Sequence, residues 1–236
     1  GPNVALMLGV KGKPTANGNR LMPFRAHDMQ VMSMALLVAE DQPVIWRGPM
    51  LMGALQQMMG QVAWGELDAL IIDLPPGTGD VQLTLSQRYH LAGAIIVSTP
   101  QDVALIDVRK GIAMFNKVTV PVLGIIENMA THICSKCGHE EHIFGEGGAA
   151  KMAAQYGVDL LGELPLDINI RLSMDKGEPI VISEPDSKVA QVYRDIARKL
   201  AIAVSKKNKD YSAAMGGMSL EPAALLSDSG KQHGLQ

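Results

Sequence analysis

Cysteine, aromatic residues and net charge are all scarce in this chain. Two cysteines, Cys134 and Cys137, stand among 236 residues, too few for the disulfide framework of a small secreted protein. Aromatic residues make up 4% and methionine contributes 15 positions, so a core of aliphatic and thioether side chains is expected. Lysine and arginine number 21 against 24 aspartates and glutamates, a net charge of −3. That balance excludes binding to polyanions by bulk electrostatics. No run of about 18 apolar residues is present to span a bilayer. Neither a nucleic-acid partner nor stable membrane association is therefore expected. Hydrophobic residues account for 47% of the chain, which excludes an intrinsically disordered protein. The first residues carry no basic stretch followed by an apolar one, so no signal peptide is read there.

Short apolar runs alternate with helical stretches, the pattern of βαβ units. Strands are expected at Ala69–Leu74, Ala92–Thr99, Val120–Glu127 and, more weakly, Asp159–Leu164. Helices are expected near Pro49–Val62, Val81–Tyr89, Val103–Val118 and Gly147–Tyr156, with Asp102 as the N-cap of the third. Right-handed crossovers then make a doubly wound, mostly parallel sheet with helices on both faces the simplest topology. Residues Lys188–Lys206 place Val189, Val192, Ile196, Leu200 and Val204 on one stripe, a helix docked on the sheet. Residues 207–236 turn polar and glycine-rich without periodicity and read as a disordered tail, leaving 1–206 as the folded domain.

Two segments carry chemistry. In Ala69-Leu-Ile-Ile-Asp73-Leu-Pro-Pro-Gly77-Thr78-Gly79-Asp80 an apolar run ends in an acid and enters a Gly/Pro loop. Such an acid lies at the carboxyl edge of a parallel sheet, where open α/β folds bind ligands and where phosphoryl-transfer proteins hold the hydration shell of Mg²⁺. The phosphate cradle G-x-x-x-x-G-K-S/T is missing. Its nearest match, Gly9-Val-Lys-Gly12-Lys13-Pro14-Thr15, is too short and puts proline after the lysine. The second segment is Cys134-Ser-Lys-Cys137-Gly138-His139-Glu-Glu-His142. Two thiolates at this spacing converge on one soft metal. They supply half of a four-thiolate shell, so an iron–sulfur cluster would need a second subunit. Zinc held by Cys134, Cys137, His139 and His142 suits the same residues, and a redox dithiol is a third reading.

Met7-Leu8-Gly9, Trp46-Arg47-Gly48-Pro49-Met50, Asp73 to Asp80, Ser98-Thr-Pro-Gln101, Glu127-Asn128-Met129, the Cys134/Cys137 pair and Ile143-Phe-Gly145 occur here in one order. Together they resemble the Mrp/ApbC family of deviant-Walker, MinD-like P-loop ATPases, which carry iron–sulfur clusters, over about residues 1–205. The resemblance implies an ATP- and Mg²⁺-dependent homodimer that bridges a 4Fe-4S cluster with Cys134 and Cys137 and passes it to apo-proteins. It implies Asp73 as the Walker B acid, Pro76 and Gly77 as the switch turn, Asn128 as the adenine-recognising residue, and Pro165 and Asp167 beside the base. In that family the P-loop precedes the point matching Gly1, so the first βα unit is expected to be absent and ATP hydrolysis by these residues alone negligible. Bacterial cytoplasm and mitochondrial matrix both fit. The competing reading is a partitioning-type nucleotide switch with a structural zinc at the cysteine loop.

Overall fold

A computed structural model of the chain describes residues 3–37, 48–75, 77, 79–134 and 136–206. The proposed tail, Pro76, and the Trp46-Arg47 pair lie outside these residues. The chain begins with a single helical turn, α1 (Val4–Met7), and two small antiparallel hairpins. β1 (Ala16–Asn17) pairs with β2 (Arg20–Leu21), and β3 (Phe24–Ala26) with β4 (Met29–Val31). None of these was expected from the sequence. The β3–β4 turn puts His27 and Asp28, neither of them glycine, at φ of 49° and 59°, the mirror-image turn that suits strand twist. A 3-10 turn at Met34–Leu37 follows.

α2 (Gly48–Gly60) and α3 (Asp80–Arg88) lead to β5 (Ala94–Ser98), α4 (Asp102–Lys117) and β6 (Val122–Glu127). A two-strand hairpin, β7 (His132–Ile133) and β8 (Glu140–Glu141), comes next, followed by α5 (Gly148–Tyr156), β9 (Leu160–Glu163), α6 (Ile168–Asp175), α7 (Ile180–Ser183) and α8 (Lys188–Ser205). β5, β6 and β9 form a parallel sheet in that order. Successive side chains leave its two sides. Ala94, Ile96, Val122 and Leu160 pack with Leu105, Ile112 and Met152 of α4 and α5. Ile95, Ile126 and Leu161 pack with Val192, Ile196 and Leu200 of α8. Helices therefore cover both faces, as expected. Gly162 permits the approach of α8, because a Cβ there would lie 2.5 Å from Ile196.

Two expectations are corrected. Ala69–Leu74 is not a strand: it runs without a ladder, with Leu70 41% and Ile71 81% exposed. A strand requires a neighbour's N–H and C=O groups, and among the described residues only β6 pairs with β5. Ile72 and Leu74 pack instead against Leu55, Val81 and Leu85 of α2 and α3. Beside them opens an apolar cavity of about 590 Å³, lined by Met7, Met34, Leu51 and Trp64 among others. Asp102, expected as an N-cap, is the first helical residue of α4, and extended Gln101 occupies the cap position. Asp102 still stands in the first turn, where the helix dipole favours an acid.

The N-terminal segment is fastened to the connection between α6 and α7. Gly9 and Gly177 meet backbone to backbone, so a Cβ on Gly177 would fall 2.4 Å from the Gly9 Cα. The His27 ring lies 3.1 Å through Nε2 from the Gly177 carbonyl oxygen.

Candidate functional site

β6 ends in Glu127, and Asn128 follows it at the carboxyl edge of the sheet, where open α/β folds place their ligands. Asn128 is half-buried, its N–H donates to the Ser98 carbonyl at the end of β5 (2.6 Å), and its Oδ1 accepts from the Met129 N–H (3.1 Å). Met129 follows at φ 57°. The chain then runs beside the extension of β9. Ala130 N–H donates to the Leu164 carbonyl (2.9 Å) and Leu166 N–H to the Thr131 carbonyl (2.7 Å). A bridge pairs His132 with Leu166. Pro165 lies inside this doublet, and Asp167 caps α6 by accepting from the Asn169 N–H at 2.7 Å. The structure thus brings Asn128, Pro165 and Asp167 to one edge, in hydrogen-bonded continuity with the start of the cysteine loop.

That loop is the β7–β8 hairpin. Cys134 N–H donates to the His139 carbonyl (2.9 Å) and Gly138 N–H to the Cys134 carbonyl (2.8 Å), with Gly138 at φ 72°. The tight turn requires glycine there and puts Cys134 and Cys137 on one bend. Cys137 is exposed, Cys134 is half-buried, and both are free thiols. Backbone hydrogen bonds at Cys137 and Lys136, the Cys137 side chain and nearby His132 all favour the Cys134 thiolate, pulling its pKa below the ordinary thiol value. The Cys134, Cys137, His139 and His142 set does not close into a single shell. Among the described residues no three His, Cys, Asp or Glu side chains gather where a metal ion could sit. His142 is turned away, its Nδ1 3.0 Å from the Ala130 carbonyl oxygen and its Nε2 3.9 Å from Glu146. The two thiols lie on an open bend, with His142 directed at Ala130 and Glu146.

Asp73 and Gly77 lie on the separate segment leading to α3. Asp73 is exposed in the stretch that forms no strand, and Gly77 adopts φ 93°. The loop is gripped by a residue that the sequence did not single out. Gln82, 3% exposed in α3, donates from Nε2 to the carbonyls of Pro75 (2.7 Å) and Gly77 (2.9 Å), one on each side of Pro76. Glu127 was overlooked as a site residue in the same way. Its carboxylate, 1% exposed, accepts the backbone N–H of Ala149 in the first turn of α5. A polar residue amid an apolar helix face or strand end is the signal that would have found both.

A parallel α/β sheet with helices on both faces, a Gly/Pro loop after an acid and a dithiol hairpin beside the carboxyl edge place the chain in the P-loop NTPase class of α/β folds. The family model described as ParA, NUBPL iron-transfer P-loop NTPase, matches residues 1–201, and the chain belongs to that family. It is 52% identical over 200 residues to an iron–sulfur cluster carrier protein of Pseudomonas fragi, covering 84% of this chain and 70% of that one. It is 51% identical over 203 residues to the iron–sulfur cluster carrier protein of Escherichia coli K12, covering 85% of this chain and 55% of that one. The iron–sulfur cluster transfer protein NUBPL of Mus musculus is 48% identical over 201 residues, with coverages of 85% and 63%. The chain thus spans between about half and 70% of the length of these relatives. A nucleotide-binding protein of Archaeoglobus fulgidus, solved with ADP, superposes with a TM-score of 0.66 at 36% identity, covering 81% of this chain and 74% of that one. Relatives thus include bacterial and eukaryotic proteins, and no helix among the described residues is long and apolar enough to cross a membrane.

Proposed function

We propose that this chain is an iron–sulfur cluster carrier that holds a 4Fe-4S cluster between two copies of itself and delivers it to apo-proteins. The observation that carries this reading is the Cys134–Cys137 bend, which offers two adjacent thiols, one with a favoured thiolate, with no third His, Cys, Asp or Glu ligand gathered beside them among the described residues. A 4Fe-4S cluster needs four thiolates, so two bends facing each other complete a shell that one leaves half made. The carrier and transfer proteins that this chain matches support the same cargo.

Nucleotide would act from the other side of the edge. Asp73 would hold the hydration shell of Mg²⁺, Pro76 and Gly77 would respond to the terminal phosphate, and Asn128, Pro165 and Asp167 would meet the adenine. The residues present fit this only in part, since the sequence contains no G-x-x-x-x-G-K-S/T cradle. ATP binding and hydrolysis therefore belong to a chain that supplies one, and residues 1–236 alone are expected to hydrolyse ATP negligibly. Gln82 holds the Pro75 and Gly77 carbonyls, and Glu127 with residues 164–166 would tie the adenine-facing edge to the cysteine hairpin. Nucleotide state could thereby change how tightly the thiols grip their cargo.

Anaerobic reconstitution with iron and sulfide tests the reading. The expected result is a brown protein with broad visible absorbance, about four irons per two chains, and a mass that doubles on loading. Cys134→Ala with Cys137→Ala should abolish all three. A colourless protein holding one zinc per chain would overturn it.

A further inference from the structure

The loop from Asn128 to Gly147 leaves the end of β6 and returns at the first turn of α5, so its two ends must be held together for the thiols to keep one position. On the outgoing side the neck is secured by backbone bonds, Leu164 N–H to the Glu127 carbonyl (2.8 Å) and Ala130 N–H to the Leu164 carbonyl (2.9 Å). On the returning side a side chain does it. The Glu127 carboxylate spans 22 positions of sequence to accept the Ala149 N–H at 2.5 Å. Both groups are buried, Glu127 at 1% and Ala149 at 0% exposure. A side-chain oxygen that accepts a first-turn N–H satisfies a helix donor that has no partner within the helix. Inside the loop, the His142–Ala130 contact ties the two strands once more at 3.0 Å.

We propose that Glu127 is a positioning residue for the thiol pair: by clamping the start of α5 onto the end of β6, it closes the neck of the loop that presents Cys134 and Cys137. The inference deepens the carrier reading and rests on it for its functional meaning. Glu127 touches no cargo. It acts through the loop, and because it adjoins Asn128 it also links the base-facing edge to the thiols.

The test compares the full chain with Glu127→Ala and Glu127→Gln under anaerobic conditions. Gln keeps an acceptor oxygen for the Ala149 N–H, whereas Ala removes it. Amide exchange is followed in peptides covering residues 130–147 and, as control, in α4 and β6. Iron uptake is measured on the same samples. In Glu127→Ala, loss of the clamp should raise exchange in 130–147 by about 10- to 100-fold while the control peptides stay unchanged, and iron uptake should fall in parallel. Glu127→Gln should stay within about two-fold of the parent in both readouts. If Glu127→Ala does not fold, Glu127→Asp, which withdraws the carboxylate by one methylene, should show the same loop-specific change. Unchanged loop exchange in a folded variant, or an equal rise in α4 and β6, would overturn the proposal. A parent chain that takes up no iron would refute the carrier reading instead, and the exchange data would still decide the role of Glu127.

Discussion

Cys134 shows how local backbone geometry sets reactivity. Backbone donors in the bend at Cys137 and Lys136 favour the thiolate, followed by the Cys137 side chain and the field of His132. In metal-free protein the pH midpoint for alkylation of Cys134, followed by peptide mass spectrometry, should therefore lie below that of an ordinary thiol. Unfolding in denaturant should restore that ordinary value. The sign for stability follows from linkage. The folded bend favours the charged form, so its contribution is complete above the ordinary thiol pKa and is lost as pH falls through the lowered one. Gln82 makes a different case, a neutral group buried for its two donors. Gln82→Met keeps the volume and leaves two carbonyls unmatched, which should cost about 1–3 kcal/mol in urea unfolding. It should also speed amide exchange at Gly77 and Gly79. The sequence alone marks Cys134 and Cys137 by their spacing, but not Gln82 or Glu127, whose partners become visible only after α3 and α5 have packed.

Among the elements, the longest apolar runs were the most legible. β5, β6 and β9 fall inside the stretches their continuous apolar composition indicates, because a strand buried on both faces tolerates little else. Ala69–Leu74 has the same composition and forms no strand, since pairing depends on a neighbour and not on the run itself. α8 was legible from its stripe, and its start is secured by Ser187, whose hydroxyl accepts the Ala190 N–H at 3.1 Å. Ser187→Ala should lower stability by about 1 kcal/mol, read as a shift of the urea midpoint at constant slope. The two N-terminal hairpins were not legible. Their strands are two or three residues long, and the His27-Asp28 turn lacks the Asn-Gly or Asp-Gly pair that marks such turns.

For the whole molecule, the core between sheet and helices decides whether the site exists at all. Ile112 of α4 is 1% exposed and packs beneath β5 and β6. Ile112→Ala should destabilise by about 2–5 kcal/mol, measured by thermal or urea unfolding, and reduce iron loading only as far as the folded fraction falls. That outcome separates a packing residue from the thiols, whose removal should abolish loading in a protein that stays folded. By itself the sequence determined the α/β class, the three strands, the main helices and the two chemical segments, because hydrophobic period and motif spacing are local properties of the chain. Only the tertiary structure decided that Ala69–Leu74 forms no strand, that His142 bonds Ala130, and that Glu127 reaches Ala149 at the start of α5. Each of these depends on groups far apart in sequence, and a hydrogen bond or a ladder exists only where packing brings donor and acceptor within reach.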